Sequence, residues 1–122
     1  MKLIPRRKKK LNVDYFTAEW ISLQKSCATR KTWPQAIIDA DDLLAEALKQ
    51  ARFKGKTTGE RLVAAQHVLT SNDTVWTGHK LRNRIEQAEV DVRKLKKNDM
   101  LVALAGFREA LRDLGALKPH VK

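Results

Sequence analysis

The 122 residues carry a net charge of +11, with 43% hydrophobic and 32% charged side chains. That is one domain's worth of chain with a globular balance, which excludes a disordered polyelectrolyte and leaves room for one hydrophobic core. A single cysteine, Cys27, excludes an internal disulfide and any cysteine-based zinc site, and it points to a reducing compartment. The apolar runs are too short to span a membrane, and no apolar stretch follows the charged N-terminus as a secretory signal requires. A cytoplasmic protein is the expectation.

The charge is unevenly placed. Lys2, Arg6, Arg7, Lys8, Lys9 and Lys10 fall within the first ten residues, with no acid among them. Like charges and little apolar surface keep such a segment from folding alone. The expected organisation is a basic tail over residues 1–12, a helical domain over 13–117 and a short C-terminal tail over 118–122. The N-terminal segment suits a polyphosphate, either a nucleic acid or an anionic membrane surface that would hold the protein peripherally. It equally suits a tail that only aids solubility.

Apolar spacing predicts five helices. The first covers about Asp14 to Arg30, with Phe16, Trp20, Leu23 and Cys27 on one face. The second opens at Thr32, where Thr32 and Gln35 have capping-box spacing and Pro34 sits in the first turn. Its stripe is Trp33, Ile37, Ala40, Leu44, Ala47 and Ala51, and Gly55 is expected to stop it near Phe53. Thr57 and Glu60 repeat the capping-box spacing at the start of a third helix carrying Leu62, Ala65 and Leu69. Ser71-Asn72-Asp73 breaks that helix and caps a fourth, from Thr74 to about Val92, with a stripe of Gly78, Leu81, Ile85, Ala88 and Val92. After a basic connector over 93–97, Asn98-Asp99 caps a fifth helix bearing Leu101, Leu104, Phe107, Leu111 and Leu114, which Gly115 stops. Strict alternation is absent, so the expected fold is all-α, a compact antiparallel bundle of about five helices.

Phosphate loops, nucleophile elbows and metal-ligand spacings are missing, so neither a cofactor nor a metal is expected. His67, His79 and His120 lie far apart in sequence, and His120 reads as a solvated tail residue. Asp39, Asp41 and Asp42 are expected near the positive end of the second helix dipole, where carboxylates serve stability. The informative stretch is in the fourth helix. At ~100° per residue, Gly78, Leu81, Ile85 and Ala88 share a wedge, and His79, Arg82, Asn83 and Glu86 gather on the opposite, polar side. The plain reading of that side is a solvated face with an Arg82–Glu86 pair worth about 0.3–0.5 kcal/mol. Trp76 is offset from the stripe, placed either to pack beneath a loop or to stack on a base or partner.

Arg82-Asn83-Arg84-Ile85, following a Trp and a His79-Lys80-Leu81, resembles the Arg-Asn-x-Ile segment of HEPN domains. Ala36-Ile37-Ile38-Asp39-Ala40-Asp41, Gly59-Glu60-Arg61-Leu62 and the run from Ala110 to Leu117 extend the resemblance over most of 13–117. It implies a small helical bundle, commonly dimeric, in a family with many metal-independent ribonucleases and toxins. In that family a His follows the Arg, typically as Arg-Asn-x-Ile-Ala-His. Here the corresponding positions are Gln87, Ala88 and Glu89. Cleavage through a 2′-hydroxyl needs a proton acceptor and donor near neutral pH, and none of these three supplies an imidazole.

The expectation is therefore a non-catalytic HEPN-like module that binds RNA, another polyanion or a protein partner. Arg6, Arg7, Lys8, Lys9, Lys10, Arg82 and Arg84 are the candidate nucleic-acid contacts. Two alternatives stand beside it. One is a ribonuclease with altered chemistry built on His79, Arg82 and Asn83. The other is a scaffold held at a membrane surface by its basic tail.

Overall fold

The computed structural model describes residues 10–119. Five α-helices follow one another: α1 (Val13–Gln24), α2 (Trp33–Gln50), α3 (Thr58–Ala64), α4 (Asn72–Glu86) and α5 (Lys97–Asp113). No strand occurs among the described residues. The expected all-α bundle is the observed one. α2 is its central element, packed against α1, α3, α4 and α5. The core is drawn from Phe16 of α1, Ile37, Leu44 and Leu48 of α2, Leu62 of α3, Val75 of α4, and Met100, Phe107 and Leu111 of α5. Trp20 and Trp33 are buried as expected, and Cys27 is half-buried against the core, where burial pushes its thiol pKa up. Packing begins before the first helix, since Leu11 is buried and Asn12 Oδ1 accepts from Tyr15 N to cap α1.

Helix ends are where the chain departs from expectation, and one backbone motif explains most of it. α2 closes with Phe53 N bonded to the Leu48 carbonyl and Arg52 N to the Lys49 carbonyl, around a left-handed Arg52 (φ 67°). α4 closes the same way around Ala88 (φ 56°), with Glu89 N on the Arg84 carbonyl and Ala88 N on the Ile85 carbonyl. α5 uses the same pair of bonds around Gly115 (φ 82°). These are Schellman closures, and only the last has the glycine that marks them in sequence. The α2 stop is therefore Arg52 rather than Gly55. α4 ends at Glu86 rather than near Val92, which leaves Ala88 and Val92 exposed instead of in the core.

Other boundaries shift for local reasons. α1 stops at Gln24 and the chain turns through two short 3₁₀ segments, Lys25–Cys27 and Arg30–Thr32. Thr32 makes no capping box, because its hydroxyl bonds the Ser26 carbonyl at 2.6 Å while Gln35 reaches Asp39. Thr57 does cap α3, accepting from Glu60 N at 3.1 Å, and Glu60 in turn accepts from Lys56 N. α3 spans only Thr58–Ala64, although Ala65 and Leu69 beyond it stay buried. α5 begins at Lys97 without a side-chain cap, and Leu101 lies 50% exposed while Met100 and Ala103 take the core side.

α4 and α5 pack at glycine-sized separation. A Cβ on Gly78 would meet Phe107 Cζ at 2.9 Å, and one on Gly106 would meet the Thr74 carbonyl oxygen at 2.6 Å. In an unobstructed helix, Gly→Ala stabilises by roughly 1 kcal/mol. At Gly106 the added methyl strikes backbone, so overpacking wins. Gly106→Ala is expected to destabilise by about 1–3 kcal/mol, read as a lower urea midpoint at unchanged slope.

Candidate functional site: a buried carboxylate, imidazole and guanidinium

α2 and α4 bring together three groups far apart in sequence. Asp41, in the middle of α2, is 0% exposed. Its Oδ2 accepts from His79 Nδ1 at 2.9 Å and from the Arg82 guanidinium (Nη1) at 2.8 Å. The other Asp41 oxygen, Oδ1, is buried and has no hydrogen-bond partner among the described residues. Arg82 reaches further, with Nη2 donating to Asp42 Oδ1 at 2.9 Å and Nε lying 2.7 Å from Glu86 Oε1. The last contact is close enough for an ion pair but is not aligned as a hydrogen bond. The expected Arg82–Glu86 pair therefore exists, as one arm of a larger cluster. Burial works against the Arg82 charge, but the bond to Asp41, with support from Glu86 and Asp42, raises its pKa above the ordinary arginine value.

Three expectations are corrected. Asp39, Asp41 and Asp42 lie towards the middle of α2 rather than at the positive end of its dipole. Asp39 bonds Gln35, Asp42 pairs with Arg82, and Asp41 is an interior group. His79 does not share a solvated face with Arg82, because the ring is only 7% exposed. α4 is turned so that Val75, Gly78 and His79 face inward, while Leu81 and Ile85 are only partly buried. Trp76 is half-buried, packed against the core and edge-on to His79 with centroids 5.8 Å apart.

The cluster has the parts of an oriented base. With its Nδ1 proton donated to Asp41, a neutral ring leaves Nε2 as an acceptor, the arrangement that fixes a catalytic histidine's tautomer. Nε2 faces Asn83 Nδ2 at 3.5 Å and the start of α3, where a Cβ on Gly59 would lie 3.8 Å away. The imidazole is thus oriented but covered. Arg82 shows the same closure, with its guanidinium facing three carboxylates. Among the described residues, no group of three or more His, Cys, Asp or Glu side chains has the geometry to hold a metal ion.

The remaining candidates fall elsewhere. Arg84 is exposed on α4 and, with Lys80, lines a groove of about 850 Å³ against Lys94 and Leu95 of the α4–α5 connector, with Glu89, Asp91 and Asp99 also in its wall. Asn83 is half-buried beside His79. Lys10 is exposed, whereas Arg6, Arg7, Lys8 and Lys9 lie outside the described residues, as do His120 and most of the segment read as a membrane tether. Acidic groups collect elsewhere, where Glu19, Asp39, Asp42 and Glu46 line a groove between α1 and α2. Tyr15 donates to Glu46 there at 2.9 Å, and that bond raises the phenol pKa.

Asp41 is the site residue that sequence reasoning passed over. The signal was present, since Asp41 sits one turn from Ile37 and from Leu44, inside the apolar stripe of α2. A carboxylate in such a stripe needs a cationic or hydrogen-bonding partner from another helix. Comparisons with protein families, with curated proteins and with solved structures each return no match for this chain.

Removing one partner of a buried ion pair strands the other. Asp41→Ala is expected to cost about 3–5 kcal/mol, whereas Asp42→Ala, which removes a 58% exposed carboxylate, costs under about 1 kcal/mol. Paired urea melts of the two variants measure the difference.

Proposed function

We propose that the chain is a non-catalytic, HEPN-like module that binds RNA through its cationic surface. The observation that carries this reading is the division of labour among its cations. Arg82, the arginine of the resembling motif, is committed to Asp41, Asp42 and Glu86 and has little left for a phosphate. Lys80, Arg84, Lys94, Lys96 and Lys97 are exposed and have no carboxylate partner among the described residues. Cations without internal partners exchange counterions for phosphates readily, which is the main source of sequence-tolerant affinity for nucleic acid. The acids lining the α1–α2 groove would repel the same ligand and so orient its approach. The missing histidine after Arg82 fits a module that binds without cutting.

One observation favours a second reading. The Asp41–His79 hydrogen bond is how a base is held for proton transfer, so a ribonuclease using His79 in place of the absent histidine has a structural argument. Its weakness is the covered Nε2.

One gel separates the readings: labelled single-stranded RNA with the full chain, EDTA present, at 50 and 200 mM salt. Retardation of intact RNA is expected, with affinity falling by about 50-fold between the two salts if four phosphates are contacted. EDTA-resistant cleavage that disappears in a folded His79→Gln variant would replace the binding module with the enzyme. Intact RNA that is not retarded at either salt would end the RNA reading and turn attention to a protein partner.

A further inference from the structure

The cations exposed on this protein are not equally prepared for a ligand. Most sit on free side chains that lose about 2 kcal/mol of rotamer freedom when they are fixed. Arg30 is different. Its guanidinium lies over the Trp33 ring, 5.0 Å from the centroid, and donates from Nη1 to the Leu95 carbonyl at 3.2 Å. Trp33 is itself buried in the core, with Nε1 donating to the Cys27 carbonyl at 2.9 Å. Arg30 is thus an exposed arginine whose position is set before any ligand arrives, and it has no carboxylate partner among the described residues. Most of its donors remain available, in the planar fork that matches a phosphate.

The surroundings complete a site. Arg30, Lys31, Pro34, Val92 and Arg93 line a hollow of about 290 Å³ where the α1–α2 connection meets the α4–α5 connector. Pro34 and Val92 supply apolar surface and the three cations supply charge. Arg93 is paired with Asp91, two residues earlier, but its side chain is 87% exposed. A pair that exposed is worth little and exchanges easily for a stronger anion. The same connector carries Lys94 to the larger groove, where Lys80 and Arg84 stand among Glu89, Asp91 and Asp99, so the hollow is the more purely cationic of the two.

We infer that this hollow is a phosphate site for single-stranded RNA. Arg30 takes the phosphodiester through its fork with Lys31 and Arg93 beside it, and the neighbouring ribose and base lie over Pro34 and Val92. This rests on the RNA-binding reading and assigns that binding a place. Neither the arginine of the resembling motif nor the N-terminal tail is its centre.

The test is fluorescence anisotropy of a labelled single-stranded RNA across a salt series, using the full chain. Arg30→Ala is expected to weaken binding about tenfold and to reduce the log–log salt slope by about 0.7, the signature of one lost phosphate contact on a single strand. Arg30→Lys keeps the charge but loses the fork, and is expected to recover only part of the affinity. Arg52→Ala, removing an exposed cation at the far end of α2, is the matched control and should change affinity less than twofold. Circular dichroism melts confirm that each variant is folded. Inorganic phosphate added at constant ionic strength should compete only weakly if the ligand is an RNA phosphodiester with its flanking nucleoside. Strong competition by phosphate alone would overturn the RNA assignment of the hollow. If wild type binds RNA with a steep salt dependence and Arg30→Ala matches Arg52→Ala, the site is wrong while the RNA reading stands. If wild type does not bind RNA at low salt, both fall together.

Discussion

A carboxylate in the centre of α2 constrains much of what surrounds it. Asp41 is fully buried, and an isolated ionised group there would cost far more than a small domain's net stability. Two partners from α4 relieve that cost, His79 through Nδ1 and Arg82 through its guanidinium. Supplying both from one helix fixes the rotation of α4 about its axis. It turns Val75 and Gly78 inward with His79, and it places Trp76 against the imidazole. Gly78 then presents a bare backbone to Phe107, so α5 can approach closely. A buried ion pair adds little net stability over a well-packed apolar substitute. Its consequence here is specificity, one register of α4 against α2 in preference to the others that an amphipathic helix allows.

The same cluster governs the functional reading. A guanidinium facing three carboxylates leaves that cluster net negative, so any attraction for an anion must come from other side chains. Acids gather in the α1–α2 groove, Lys80, Arg84 and Lys94 share the larger groove with Glu89, Asp91 and Asp99, and Arg30, Lys31 and Arg93 line the smaller hollow. Under the proposed reading, a polyanion would be repelled by the first groove and drawn to the hollow at low ionic strength. Among the cations of that hollow, Arg30 stands apart because Trp33 and the Leu95 carbonyl have already fixed it. Preorganisation of this kind raises affinity by lowering the entropy lost on binding.

The fold was largely legible in the sequence, and the site only in part. Apolar periodicity located all five helices, because the stripes of α2 and α5 are long and regular. Helix ends were harder. Arg52 and Ala88 adopt the left-handed conformation that composition assigns to glycine, and nothing in their side chains advertises it. On α4 hydrophobicity alone favours the wedge from Gly78 to Ala88. The helix instead buries His79 and half-buries Leu81 and Ile85, because Asp41 across the interface outweighs their apolar surface. Asp41 itself was visible as an acid within an apolar stripe, but its partners lie 38 and 41 residues away, and no local pattern links them. Arg30 carries no sequence signal at all, since its fixed position comes from a ring three residues on and a carbonyl on a distant connector.

The central claim is that Arg82 belongs to the interior and not to the ligand. The most direct measurement is to follow the Arg82 Nε–H and His79 ring resonances by ¹⁵N–¹H NMR while single-stranded RNA is added to the full chain. A guanidinium committed to Asp41, Asp42 and Glu86 keeps its shift and its slow solvent exchange as RNA saturates the protein, while exposed arginine signals move. Movement or broadening of the Arg82 and His79 signals in step with RNA occupancy would show that the cluster opens to the ligand, and would contradict the claim.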